Sequence, residues 1–248
     1  MKYKALFLDV DGTTVPNAPD GTPSPRVLEA IHKINPRIHV CIATSRPLFL
    51  AKAIIELLQV RGLCIVNDST QIYDPVAKKF LQTLYIEPAS LPKIFRIARR
   101  YSSKILMNAG KNDRNVRRGS VAKKVCSVYV GDSEPAEAEK LVAELTKIPN
   151  LAVHKMPAWE KGKIAVSVSH ATATKLHGVN TVANLLGIRT EEMIGVGDGY
   201  NDFPLLMACG LKIAMGNAVS ELKAIADFVA PSVEEDGVAT VIEKFIPF

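Results

Sequence analysis

The stretch ALFLDVDGTT, residues 5–14, decides the fold. Four apolar residues, Ala5 to Leu8, read as a strand buried on both faces, and they run straight into Asp9 and Asp11. Period-two geometry points both carboxylates the same way at the strand's carboxyl end. Like charges held that close repel, and burial sharpens the repulsion, so something must offset it. A hard divalent cation, which takes oxygen ligands and keeps waters, would do so, and Mg²⁺ is the one expected. D-x-D-G also opens calcium loops. Such a loop needs glycine at its sixth position and glutamate at its twelfth, where this chain has Thr14 and Asp20, and it follows a helix rather than an apolar strand.

Outward from this strand the same rhythm repeats. HVCIA (39–43), GLCIV (62–66) and MIGVG (193–197) are further short apolar runs, read as strands buried on both faces. Amphipathic helical patterns lie between them. SPRVLEAIHKI (24–34) has Ser24 as a cap and Pro25 just inside, and RPLFLAKAIIELLQV (46–60) is a second. The alternation predicts an α/β fold with a parallel sheet and helices on both faces. From about Phe80 to Ser169 the strands are longer and partly alternating: KKFLQTLYI, SKILMNA, KKVCSVYVG, LAVHKM and GKIAVSVS. Two helical patterns, 88–101 and 134–147, interrupt them, so an inserted α+β unit with an antiparallel sheet is expected. The helix–strand rhythm resumes with TATKLHGVNTVANLLGI (172–188).

Two more polar clusters close strands of the first unit. ATSR (43–46) ends one, and GDGYND (197–202) ends another and carries Asp198 and Asp202. In open α/β sheets ligands bind outside the carboxyl ends of the strands. Three strand tips can therefore bring four carboxylates and a threonine to one place. Taken singly, Asp198 or Asp202 could be a turn residue or a helix cap, and Thr44 an ordinary strand end. The joint pattern carries the reading.

LFLDVDGTT, CIATSRP, a lysine at 175 and GVGDGYND resemble the four motifs of the haloacid dehalogenase superfamily. The insertion between the second and third is similar to the type C2 cap of its Cof-like sugar-phosphate phosphatases. The resemblance implies a Rossmann-like catalytic core over 1–80 and 171–248, with an α+β cap over 81–170 that sets substrate specificity. It also implies roles. Asp9 would be a nucleophile forming an aspartyl-phosphate. Asp11 would be the general acid, then the base. Thr44 would hold a phosphoryl oxygen, and Lys175 would neutralise the phosphoryl group and Asp9. Mg²⁺ would be bound by Asp9, the backbone carbonyl of Asp11, and Asp198. Asn201 and Asp202 would support that shell and orient Lys175, with Ser45 and Asn67 in supporting positions and Arg46 contacting substrate. These residue types suit phosphoryl transfer, which needs positioning and charge neutralisation above all. On this reading, metal and lysine offset the repulsion at Asp9 and Asp11, and the repulsion keeps a proton on Asp11.

The sequence departs from the family pattern in three places. Ser45 stands where glycine follows the motif-two threonine, which would strain the backbone if that position needs positive φ. Asn67-Asp68-Ser69 replaces Asn-Gly-Ala and adds a carboxylate. Lys175 precedes Leu176 and His177 rather than glycine, although its rivals Lys161 and Lys163 lie in the presumed cap.

Composition bounds the alternatives. The 248 residues are 48% hydrophobic and 23% charged, as in a globular protein with an ordinary core. The net charge of +6 suits a small anionic substrate as well as nucleic acid. KNDRNVRRGS (111–120) is basic, but no aromatic residues interleave for base stacking, so nucleic acid is not the expected partner. It reads as a polar loop, where Arg114, Arg117 and Arg118 are candidates to read a leaving group. The four cysteines form no C-x-x-C pair and read as core residues of a reducing compartment. The five histidines show no metal-ligand spacing. Four apolar residues before Asp9 are too few for a signal h-region, and no run approaches a membrane span, so a cytoplasmic location is expected. The expected activity is Mg²⁺-dependent hydrolysis of a small phosphomonoester, a sugar phosphate or a phosphoglycolate-like acid. A phosphomutase, or a sugar-conjugate phosphatase of the mannosyl-phosphoglycerate or sucrose-phosphate type, is the alternative enzyme, and a non-catalytic phospho-ligand sensor is the alternative of another class. The sequence leaves the oligomeric state open.

Overall fold

The computed structural model describes residues 2–18, 20–110, 113–116, 124–158, 160 and 162–246. In chain order its elements begin β1 (Ala5–Leu8), α1 (Pro25–Ile34), β2 (His39–Ile42), α2 (Leu48–Leu57), β3 (Cys64–Val66), β4 (Gln71–Asp74) and β5 (Lys79–Thr83). They continue α3 (Leu91–Ala98), β6 (Ile105–Asn108), β7 (Asp113–Asn115), β8 (Ser127–Ser133), α4 (Pro135–Leu145), β9 (Leu151–Pro157) and β10 (Ile164–His170). The last are α5 (Lys175–Leu186), β11 (Met193–Gly197), α6 (Phe203–Ala208), β12 (Leu211–Ala214), α7 (Ser220–Ile225), β13 (Phe228–Val229) and α8 (Gly237–Phe245). They form two compact units, Met1–Leu81 with Lys175–Phe248, and Gln82–Thr174.

The first unit is built on a five-stranded sheet in the order β13-β12-β11-β1-β2. All its neighbours run parallel, with Leu8 opposite Ile42 on one side and Val196 on the other. Every residue of β1 is buried, as its unbroken apolar run requires. The chain leaves β1 for β2 on one side and returns to β11 on the other, so the tip of β1 is a topological switch point, where open α/β sheets bind ligands. Helix α1 starts as read: the Ser24 hydroxyl accepts from the Val27 N–H at 3.2 Å, and Pro25 sits in the first turn.

β3 corrects the sequence reading. It does not continue the parallel sheet as a full strand. An isolated bridge, Ala43 to Ile65, and the Thr44 N–H to Ile65 carbonyl bond at 2.9 Å join it to the tip of β2. It then pairs antiparallel with β4 in a three-stranded sheet, β3-β4-β5. The cause is the turn after it, where Asn67, Asp68 and Ser69 all take left-handed φ values of 57°, 52° and 61° and reverse the chain. Asn and Asp tolerate that geometry. The Thr70 N–H and hydroxyl both close on the Asn67 carbonyl, at 3.0 and 2.6 Å. KKFLQTLYI, read as an opening strand of the insertion, therefore supplies β5 of this small sheet instead.

The second unit is an antiparallel sheet, β7-β6-β8-β10-β9, with α3 and α4. Val128, Val130, Val166 and Val168 alternate onto the face that packs with Ile94, Phe95 and Leu141 of the helices. All four cysteines are buried and free, and burial pushes the Cys64 thiol up to about 12, which suits inert core residues. No helix among the described residues is long and apolar enough to cross a membrane.

Candidate active site

Asp9 follows β1 directly, and its N–H donates to the Val196 carbonyl at 3.1 Å, so the parallel ladder sets its position. Its carboxylate is buried. Oδ1 accepts from Lys175 Nζ at 2.6 Å, and Lys175 reaches Asp202 Oδ1 at the same 2.6 Å. Lys175 is the first residue of α5, and it is itself buried. Asp202 is held from both sides, because its Oδ2 accepts from the N–H groups of Asp198 and Gly199, each at 3.0 Å. This bracing shapes the loop after β11 and turns Asp198 towards Asp9. Thr13 Oγ1 donates to Asp198 Oδ1 at 2.9 Å, and Thr14 Oγ1 to the Asp9 carbonyl at 2.6 Å.

Carboxylate oxygens of Asp9, Asp198 and Asp202 lie within 4.8 Å of one another. Burial, then the Asp202 carboxylate, push Asp9 up to about 8 against the pull of Lys175. The same two causes push Asp198 up to about 6, opposed by the Thr13 hydrogen bond and Lys175. Burial works against the charge on Lys175, but Asp202 and Asp9 outweigh it and raise its pKa. With all three carboxylates ionised, the single ammonium would leave two negative charges without a counter-charge in the cluster. The donor set, hard oxygens with a deficit of two charges, fits a divalent cation such as Mg²⁺. With both oxygens of Asp202 occupied by protein donors, Asp9 and Asp198 are the carboxylates that can face it.

Asp11 departs from the expectation that lysine and metal neutralise it. Its carboxylate is not part of this cluster and makes no ion pair with Lys175. It pairs with Arg46. Nε donates to Asp11 Oδ2 at 2.9 Å and to Oδ1 at 3.2 Å, and Nη2 also bonds Oδ1. Thr44 is buried at the tip of β2, where its Oγ1 accepts from the Arg46 N–H at 3.1 Å. Ser45 is not among the left-handed residues, so the missing glycine brings no strain there. The Asn67 and Asp68 N–H groups donate to the Arg46 and Ser45 carbonyls at 2.8 and 3.1 Å, which ties the turn after β3 to the end of β2.

Asn201 is exposed on the turn Tyr200–Asp202. Arg114 is exposed in β7, opposite Met107, rather than in a loop. The Asn108 side chain donates to Asp113 Oδ1 at 2.8 Å and helps pin this hairpin. Arg117 and Arg118 lie outside the described residues.

Gly12, Thr13, Thr14 and Asn217 complete the site, and sequence reasoning gave them no role. Gly12 has φ +74°, and a Cβ there would lie 2.2 Å from Asp198 Oδ2. Asn217 Nδ2 donates to the Gly12 carbonyl at 2.8 Å. The signal for Gly12 was present as the D-G step; that for Asn217 was only a turn-like G-N after β12.

The family model for haloacid dehalogenase-like hydrolases matches residues 6–116 and 106–242, so the chain belongs to the haloacid dehalogenase-like hydrolases and is an enzyme of that family. Two relatives carry the name "Putative phosphatase". One, from Haemophilus influenzae, is 35% identical over 119 residues, 48% of this chain and 43% of that protein. The other, YkrA from Bacillus subtilis, is 27% identical over 262 residues, 98% of each. The first shared stretch thus spans less than half of its relative, the second nearly all. Among solved structures, a haloacid dehalogenase-like hydrolase from Bacteroides thetaiotaomicron superposes with a TM-score of 0.81 at 21% identity, covering 98% of this chain and 99% of its own. That likeness shows a shared fold.

Proposed function

We propose that the chain is a phosphatase that hydrolyses a small phosphomonoester through a phosphorylated Asp9 and requires Mg²⁺. The observation that carries this reading is the buried Asp9–Lys175–Asp202 chain at the tip of β1, two bonds of 2.6 Å each. The family and its relatives named as phosphatases support the reaction class. Lys175 engages Asp9 through Oδ1 alone, so Asp9 keeps an oxygen that no described protein donor holds, and that oxygen attacks phosphorus. Lys175 and the Thr44 hydroxyl steady the phosphoryl oxygens as charge shifts onto them. Asp11 gives a proton to the departing ester oxygen and then takes one from the water that cleaves the aspartyl-phosphate. Asp9, Asp198 and the backbone carbonyl of Asp11 would hold Mg²⁺, which when bound supplies neutralisation of the phosphoryl charge. Unit Gln82–Thr174 supplies the selectivity for a sugar phosphate or a phosphoglycolate-like acid, since the residues above handle only the phosphoryl group.

The test is phosphate release from a panel of phosphomonoesters, with Mg²⁺ and with chelator. The expected result is metal-dependent release without any bisphosphate activator, which also separates a hydrolase from a mutase. No release above the chelated control from any ester would overturn the reading.

A further inference from the structure

We infer that Arg46 is the positioning residue for Asp11, aiming its carboxylate at the leaving group, rather than a residue that only attracts the anionic substrate. This rests on Asp11 acting on the leaving oxygen. The ion pairs of the site fall into two sets. Asp9, Asp198 and Asp202 gather around Lys175, whereas the side-chain ion pair of Asp11 is with Arg46. An aspartate on a turn, with a side chain 34% exposed, has free side-chain torsions unless something fixes them. A guanidinium fork fixes them, because two donors meet both oxygens of one planar carboxylate.

The arm is fixed at its own base. The Arg46 N–H donates to Thr44 Oγ1 at 3.1 Å, and its carbonyl accepts from the Asn67 N–H at 2.8 Å. Nη2 has a further, longer contact with the Ala18 carbonyl at 3.5 Å. The side chain is 17% exposed, so most of the stem is enclosed. One loop at the tip of β2 therefore delivers both the hydroxyl that meets the phosphoryl group and the fork that directs the proton carrier. The Thr44–Arg46 bond holds the hydroxyl against the main chain from which the fork extends.

The experiment measures kcat and KM with Mg²⁺ on an alkyl phosphate, a poor leaving group, and on p-nitrophenyl phosphate, a good one. The variants are Arg46→Ala, Arg46→Lys, Asp11→Asn and the double variant Arg46→Ala/Asp11→Asn. Proton delivery matters mainly for the poor leaving group, and general acid help is worth about 10²–10⁴-fold. Because Asp11 also serves the dephosphorylation step shared by both esters, the comparison is made in kcat/KM, which reports phosphorylation of Asp9, and Arg46→Ala is expected to lower it on the alkyl phosphate at least about 10-fold more than on the aryl phosphate. In the Asp11→Asn background it should add less than about 2-fold, because the two residues act as one unit. Arg46→Lys keeps the charge without the fork, so it should hold kcat/KM on the aryl phosphate near wild type yet fail to restore it on the alkyl phosphate. It also carries the test if Arg46→Ala does not fold. Equal losses of kcat/KM on both substrates, additivity with Asp11→Asn, or full rescue by lysine would each overturn the inference and leave Arg46 as a charge for binding. If Asp11→Asn itself shows no leaving-group dependence, the reading of Asp11 fails, and the inference fails with it.

Discussion

Lys175 opens α5, where the positive end of the helix dipole disfavours an ammonium. Asp9 and Asp202 hold it there, and it holds them. Removing one partner of a buried pair strands the rest, at about 3–5 kcal/mol. Lys175→Met is therefore expected to destabilise the protein by about that much near neutral pH. The loss should shrink in acid, where protons replace the ammonium, and urea unfolding at the two pH values checks it. Gly12→Ala strains a left-handed position and drives a methyl into Asp198. The concentration of Mg²⁺ giving half-maximal activity should rise about 10–100-fold, as for a lost ligand support. At this scale the aspartates were legible because each ends an apolar run. The Arg46–Asp11 pair was not, since 35 positions separate the partners and no local pattern marks a contact at that distance.

The strands place these residues, and the helices hold the strands. Ser24→Ala removes the acceptor for the Val27 N–H and should cost about 0.5–2 kcal/mol, read as a lower urea midpoint with an unchanged slope. β1, β2 and β11 were legible from their unbroken apolar runs. β3 was misread because a short apolar run looks the same in a parallel sheet and in a hairpin. What distinguishes them is the turn Asn67–Asp68–Ser69, whose three left-handed residues no glycine announces. Arg114 was misread for a related reason: a three-residue polar edge strand has no apolar alternation to mark it.

Across the molecule the chain builds two hydrophobic cores, one around β1, β2 and β11 and one between the second sheet and its helices. Short buried strands alternating with helices, against longer alternating strands, made that contrast visible in the sequence. The charge deficit at the first core's edge couples stability to pH and metal. Asp9 and Asp198 have raised pKa values, so in the metal-free protein they favour the folded state in acid. That contribution is lost as pH rises through about 6 for Asp198 and about 8 for Asp9. A divalent cation replaces those protons, so the rise in Tm on adding Mg²⁺ should be larger at about pH 8.5 than at about pH 5. Thermal melts of wild type and Asp198→Asn check this, with little rise expected in the variant. The central claim, that Asp9 takes the phosphoryl group, is tested most directly by acid-quenching the enzyme during turnover of a phosphomonoester and mapping the phosphorylated peptide by mass spectrometry. One acid-stable, base-labile phosphoryl group is expected on Asp9, and none in Asp9→Asn. Phosphate release without any such adduct, or an adduct that survives in Asp9→Asn, would contradict the claim.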